Sequence, residues 1–346
     1  DGVVFQALVQ RVAQLEQQQA QLLSGACTPV ADNSTIAGLG GVGRKWHGAV
    51  LASNGKIYGI PYLAGSVLVI NPNTNAASTI DVGSGGWIGG VLAGGKIYGI
   101  PFSSSSVLMI DPTTDTVDTT TIVGLGGGAK WNGGVLAGGK IYGMPCLSPS
   151  VLIVDSTTDT VDTTTIANLG NNSDKWFGGV LANNGLIYGI PRSSPSVLII
   201  DPTTDTADIT TITGLGAGGH KWWGGVLANN GKIYGIPFTS SSVLIIDPTT
   251  NTADITAIAG LSGSGKWAGG LLASSGKIYG IPYASQSVLI IDPTTNTSDT
   301  TTITVPVQYA HGNWAFGALA NNGKIYGVPS TAPSVLIIGC NVTHEL

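Results

Sequence analysis

The sequence predicts an all-β chain: a seven-bladed β-propeller of four-stranded blades, its ring closed by an N-terminal strand and preceded by a coiled-coil-like α-helix. Three observations carry this. Tryptophan recurs at Trp46, Trp87, Trp131, Trp176, Trp222, Trp267 and Trp314, at intervals of 41 to 47 residues, and a period of that length marks a repeat architecture. Each repeat holds four short stretches separated by turns, the pattern of a propeller blade. The chain has 52 glycines in 346 residues and confines glutamate to Glu16 and Glu345, a composition that favours strands and tight turns over helix.

Residues 1–24 depart from this style. Phe5, Leu8, Val12, Leu15, Gln19 and Leu22 alternate spacings of three and four, a heptad seam with one polar position. Three heptads are marginal alone in water. The expectation is therefore an assembly stalk that associates with copies of itself, a partner or the propeller. Residues 25–346 form the propeller domain. The Asp1-Gly2 start without Met suits removal of a signal peptide.

The closing strand follows from an unfinished repeat. The seventh copy runs through Ser334–Ile338 and stops at Gly339-Cys340 without a fourth strand, which would leave an open sheet edge. Residues Asp32–Gly41 (DNSTIAGLGG) match a repeat tail such as Asp208–Gly218 and are expected to fill that place. Cys27 and Cys340 then become neighbours and disulfide partners, closing a very long loop. Cys146 is left alone in a variable tip and reads as a small filler residue.

Within a repeat the strands read W-x-G-G-V-L-A, G-K-I-Y-G-I-P, S-V-L-I-I-D and a Thr-rich D-T-T-T-I. The Asp111–Thr116 turn (DPTTDT) uses Pro to preset φ, and the Asn229–Gly231 turn (NNG) supplies residues that tolerate positive φ. Gly pairs such as Gly224-Gly225 inside a strand mark close backbone approach around the axis. The ring of Tyr58, Tyr98, Tyr142, Tyr188, Tyr234, Tyr279 and Tyr326, like the Trp ring, is expected between blades with each polar tip partnered.

The two faces differ. The NNG and DPTT turns barely change, whereas the second-to-third tips read YLAG, FSSS, CLSP, RSSP, FTSS, YASQ and STAP, and the residue after each Trp also varies. Variable loops on a constant scaffold are where individual specificity is sought. The candidate binding face comprises His47, Phe102, Phe177, Arg192, Trp223, Phe238 and Tyr283.

Other chemistry is sparse. Charged residues are 10% and the net charge is −5, so neither nucleic acid nor an anionic membrane is an expected partner. No run of about twenty apolar residues predicts a membrane span. Gly260–Lys266 (GLSGSGK) has P-loop spacing, but Trp267 stands at the Ser/Thr position and the segment links strands. Lys45, Lys130, Lys175, Lys221 and Lys266 read as solvated. His47, His220, His311 and His344 lack metal spacing, and the DPTTDT aspartates lack the ligand run of a calcium loop. No metal, cofactor or enzymatic activity is expected, since no nucleophile and base group together. Asn33, Asn171, Asn296 and Asn341 begin N-x-S/T sequences, which with the disulfide suggests a secreted glycoprotein.

The unit Gly231–Thr252 (GKIYGIPFTSSSVLIIDPTTNT) resembles the repeats of YVTN and kelch-like β-propeller proteins, over roughly residues 32–339. The resemblance implies the propeller fold and a surface or extracellular setting with binding. The expected function is a secreted structural glycoprotein that self-assembles, through its helix and propeller surfaces, with matrix components into a fibre, coat or matrix. The alternative is a lectin-like propeller that binds glycans or protein through repeated pockets between blades.

Overall fold

The computed structural model describes residues 28–41, 43–306 and 312–340. The seam of Phe5, Leu8, Val12, Leu15 and Leu22, together with Cys27, His311, Asn341 and His344, lies outside them. Seven antiparallel four-stranded sheets follow one another as propeller blades. In the first blade Trp46–Leu51, Ile57–Pro61, Ser66–Asn71 and Ala76–Asp81 pair in chain order. In the last, Pro29–Asp32 lies outside Leu336–Cys340, then Ile325–Pro329 and Trp314–Leu319. Pro29 stands opposite Cys340 and Asp32 opposite Ile337.

The strand from the start of the chain thus ends where Asp32–Gly41 was expected to begin, and one turn chemistry explains the shift. The Asp32 carboxylate accepts from the backbone N–H of Ser34 at 2.7 Å and from the hydroxyls of Ser34 and Thr35. Asp118, Asp162, Asp208 and Asp299 bind the following threonines in the same way. Asp and Thr side chains that capture nearby backbone groups compete with the ladder. In five blades the fourth strand therefore shrinks to three residues, such as Thr116–Asp118, and most of D-T-T-T-I is turn.

These carboxylates set an acid limit. Hydrogen bonds led by Thr121, Thr165, Thr211 and Thr302 pull Asp118, Asp162, Asp208 and Asp299 from 3.8 to about 2. A depressed folded-state pKa adds stability that is present above the unfolded value and lost as pH falls through the folded one. Melting temperature should hold above pH 4 and drop between pH 4 and 2. A flat profile over that window would show that the turns contribute nothing.

The cores lie between blades. One joins Val135, Tyr142 and Ile153 of one blade to Trp176, Ile187 and Leu198 of the next, and the same positions recur around the disc. The closure is equivalent, with Tyr326, Val328 and Ile337 packed on Trp46, Ile57 and Leu68. Each ring tryptophan donates Nε1–H to a serine carbonyl, Trp222 to Ser242 at 2.8 Å. Tyr58 donates to Asp115 and Tyr142 to Asp205, both at 2.5 Å, while Tyr326 reaches Asn75 at 3.2 Å across the closure. Most acceptors in this ring sit at one turn position at φ 51–54, where Asn and Asp tolerate the left-handed region.

Cys340 is disulfide-bonded. A bridge that closes a long loop typically contributes about 2–4 kcal/mol by constraining the unfolded chain. Cys340→Ser should lower the guanidinium unfolding midpoint accordingly. An unchanged midpoint would mean that the bond does not staple the last blade.

Candidate functional site

A bulge in each innermost strand builds the site. In the third blade Trp131 pairs with Pro145 and Gly134 with Gly143, so Asn132 and Gly133 take the place of one residue. The other blades share this shift. The first glycine after the bulged residue supplies positive φ, 73–77° at Gly89, Gly133, Gly178, Gly224 and Gly269. Its missing side chain also lets the strands meet, since a Cβ on Gly89 would lie 2.8 Å from the Gly133 Cα. Bulges of this kind re-aim a side chain. Here they bury His47, Ile88, Asn132, Phe177, Trp223, Ala268 and Ala315.

The tips meet these residues from above. Backbone hydrogen bonds lock each tip on both sides: Arg192 N–H donates to the Lys175 carbonyl at 2.9 Å, and the Arg192 carbonyl accepts from Lys221 N–H at 2.7 Å. Here the lysine expectation fails. Lys175 Nζ donates to the carbonyls of Cys146, Ser148 and Asn172, and Lys266 Nζ donates to those of Phe238, Ser240 and Gly263. They are clamps between tip and linker, not solvated charges, because the turns converge carbonyls on each ammonium. Burial lowers Lys45, Lys221 and Lys266 to about 8. The P-loop-like lysine, Lys266, is spent in the same way.

Within this frame the predicted face comes together. Phe177, Trp223, Phe238 and Tyr283 form one buried cluster with Cys146, Ala268 and Ala315, and Phe102 packs against it. The Trp223 ring centroid lies 5.0 Å from Phe238, 5.6 Å from Phe177 and Tyr283, and 5.8 Å from His47. The Arg192 guanidinium sits 4.1 Å from the Phe177 centroid, 4.7 Å from Trp223 and 4.9 Å from Phe238. Tyr62, 4.9 Å from His47 and 5.6 Å from Phe102, completes the aromatic rim.

Phe316 replaces the axial glycine of the last blade. It holds φ 64°, a costly conformation for a bulky residue. Its ring covers Gly269, lies 3.3 Å from where a Gly224 Cβ would be, and stands 5.7 Å from Trp223. The aromatic ring therefore stops the axis beneath the cluster.

Polar atoms here lack partners. Among the described residues, the buried side-chain nitrogens and oxygens without a hydrogen bond are His47 Nδ1, both amide atoms of Asn132, Arg192 Nε and Nη1, and Trp223 Nε1. All belong to bulge or tip positions. Burial, and then the charges of Arg44 and Arg192, push His47 down to about 3, so its imidazole is neutral, with Nε2 2.9 Å from Ser330 Oγ. Burial also lowers Arg192 to about 10 against the opposing pull of Asp174, leaving it charged at neutral pH.

Cys146, Asp174 and His220 meet at the rim. The Cys146 thiol donates to Asp174 Oδ1 at 3.4 Å, and His220 Nε2 lies 3.1 Å from Asp174 Oδ2. Burial and the Asp174 charge push the thiol well above its ordinary range. The carboxylate stands between thiol and imidazole, an order that does not activate a nucleophile.

Elsewhere the side chains are occupied. The ring tryptophans are buried and bonded, Trp222 among them, and paired serines such as Ser240 and Ser242 face each other at 3.3 Å. A cleft of about 280 Å³ beside Trp267 is lined by Ser285, Ser287 and the committed Lys266. Of the candidate glycosylation residues, Asn171 is exposed, Asn33 is half-buried, and Asn296 Oδ1 accepts from Tyr234 at 2.8 Å. Asn296 is thereby part of blade packing.

Comparison with known proteins places this geometry. No protein-family model matches the chain, and no curated protein matches its sequence. Solved structures do. A streptogramin B lyase superposes with TM-score 0.67 at 9% identity, covering 90% of this chain and 98% of its own. A catalytically inactive virginiamycin B lyase from Staphylococcus aureus with quinupristin gives 0.69 at 9%, covering 90% and 99%. The extracellular domain assigned to a hybrid two-component system of B. thetaiotaomicron gives 0.60 at 10%, covering 87% of this chain and 40% of that one. The expectation of a non-enzyme is corrected by the first two, because lyases are built on this fold. That expectation rested on the lack of grouped chemistry along the chain, and the blades bring together residues far apart in sequence. At these identities the chain is similar to the lyases and the extracellular domain in its propeller fold alone.

Proposed function

We propose that this chain is an extracellular ligand-binding propeller whose recognition site is the axial mouth on the variable-tip face. The observation that carries the reading is the confinement, among the described residues, of the unpaired buried polar atoms to His47, Asn132, Arg192 and Trp223. A folded protein rarely leaves such groups without partners, and a bound molecule would supply them. The Cys340 disulfide and the YVTN/kelch-like motif support an extracellular setting. Thermal-shift screening of the full chain against glycans and small metabolites tests it. The expected result is a saturable stabilisation by one chemical class that Trp223→Phe weakens; no stabilisation by any class would sink it.

The disulfide and the heptad seam of residues 5–22 favour a second, compatible reading, in which the disc is presented in an extracellular assembly. Sedimentation should give a multimer for the whole chain and a monomer after removal of residues 1–24. A monomer in both cases rejects assembly through that segment.

A further inference from the structure

We propose that the axial mouth recognises a monocarboxylate, with Arg192 as its anchor; this rests on the axial-site reading above. Arg192 is buried, and no acceptor among the described residues reaches Nε or Nη1. Phe177, Trp223 and Phe238 lie 4.1–4.9 Å from its guanidinium carbon and occupy the space around it. Its N–H donors leave in the guanidinium plane, where a planar carboxylate is bound by paired hydrogen bonds along one edge, Nη2 with either Nη1 or Nε.

The surrounding groups extend the match. Trp223 Nε1–H and the Asn132 amide are further unpaired donors, while the Asn132 oxygen and the neutral His47 ring can serve a hydroxyl or amide on the same ligand. Charge selects the class. Arg192 is the buried cation of the site, and the more exposed Asp174 and Arg44 act on it in opposite senses. A monoanion balances the single Arg192 charge, whereas a phosphate dianion brings one charge too many to a buried site. Asp174 is unavailable as the permanent partner of Arg192, because its two oxygens already face Cys146 and His220. The partly exposed rings of Tyr62 and Phe102 provide the apolar approach that a carboxylate with a small apolar or sugar body would cover.

Titration calorimetry of the full chain with benzoate, acetate and glucuronate, each beside its methyl ester, and with inorganic phosphate, tests this. At least one acid should bind saturably, its ester and phosphate at least tenfold more weakly, and Arg192→Lys should weaken the acid at least tenfold. Equal binding of acid and ester by the wild-type chain, or tighter binding of phosphate, overturns the carboxylate assignment and leaves axial binding standing if Trp223→Phe weakens it. If none of the acids, esters or phosphate binds, the carboxylate proposal fails; if the glycan and metabolite screen is also empty, the axial-site reading fails with it.

Discussion

Gly89→Ala is expected to destabilise the propeller by about 3 kcal/mol, summing left-handed backbone strain and a steric clash. Gly89 holds φ 76°, and the added Cβ would press to 2.8 Å from the Gly133 Cα. That neighbour is backbone in the next innermost strand, so it cannot rotate away, and the ring transmits any shift to the following blade. Gly124 separates the two causes. It holds φ 83° with nothing within 4 Å of the would-be Cβ, so Gly124→Ala should cost only the backbone part, about 1 kcal/mol. Guanidinium unfolding of both variants measures the difference. Equal losses would show that the axis is not crowded.

The second large effect is expected at Trp222. This side chain is 1% exposed and packs with Tyr188, Ile190 and Leu244 between two blades, while its Nε1–H satisfies the Ser242 carbonyl. Truncation to alanine removes a large buried surface and orphans that carbonyl. A loss of about 3–5 kcal/mol follows from comparable core truncations. Trp222→Phe should recover much of it, because a ring still fills the core. A loss below about 1 kcal/mol for the alanine variant would contradict the assignment of this core as a determinant of stability.

The contrast between Trp222 and Trp223 shows what could be read from the chain alone. Trp222 belongs to the constant period, and constancy at all seven positions reports packing between blades. Trp223 breaks the pattern at a position where other repeats carry His47, Asn132, Phe177 or Ala268. Reading such exceptions located much of the axial cluster, because aligned repeat positions project to one end of the disc. The closing strand was legible in outline from the unfinished repeat, but its limits were not. Asp32 ends it by binding Ser34 and Thr35, and a match to the repeat tail does not distinguish strand from turn.

Other features needed three dimensions. Lys175 and Lys266 looked solvated because nothing in the chain reveals that three carbonyls converge on each ammonium. Cys146, Asp174 and His220 come from different blades and linkers, so their contact had no local signal. Phe316 did have one. It is the residue that stands where the other six repeats place the axial glycine, and that substitution foretells both its positive φ and the ring stopping the axis.

In the proposed function the repeated residues hold the disc while their exceptions carry recognition. A ¹H–¹⁵N spectrum of the tryptophan indoles tests this, since the chain has eight tryptophans. The seven ring indoles donate to serine carbonyls and Trp223 Nε1 has no partner. On titration with the benzoate, acetate or glucuronate that calorimetry shows to bind, the Trp223 indole should shift downfield as it gains an acceptor, while the seven others stay in place. Movement of the ring indoles with Trp223 unchanged would contradict the account, because recognition would then lie between the blades.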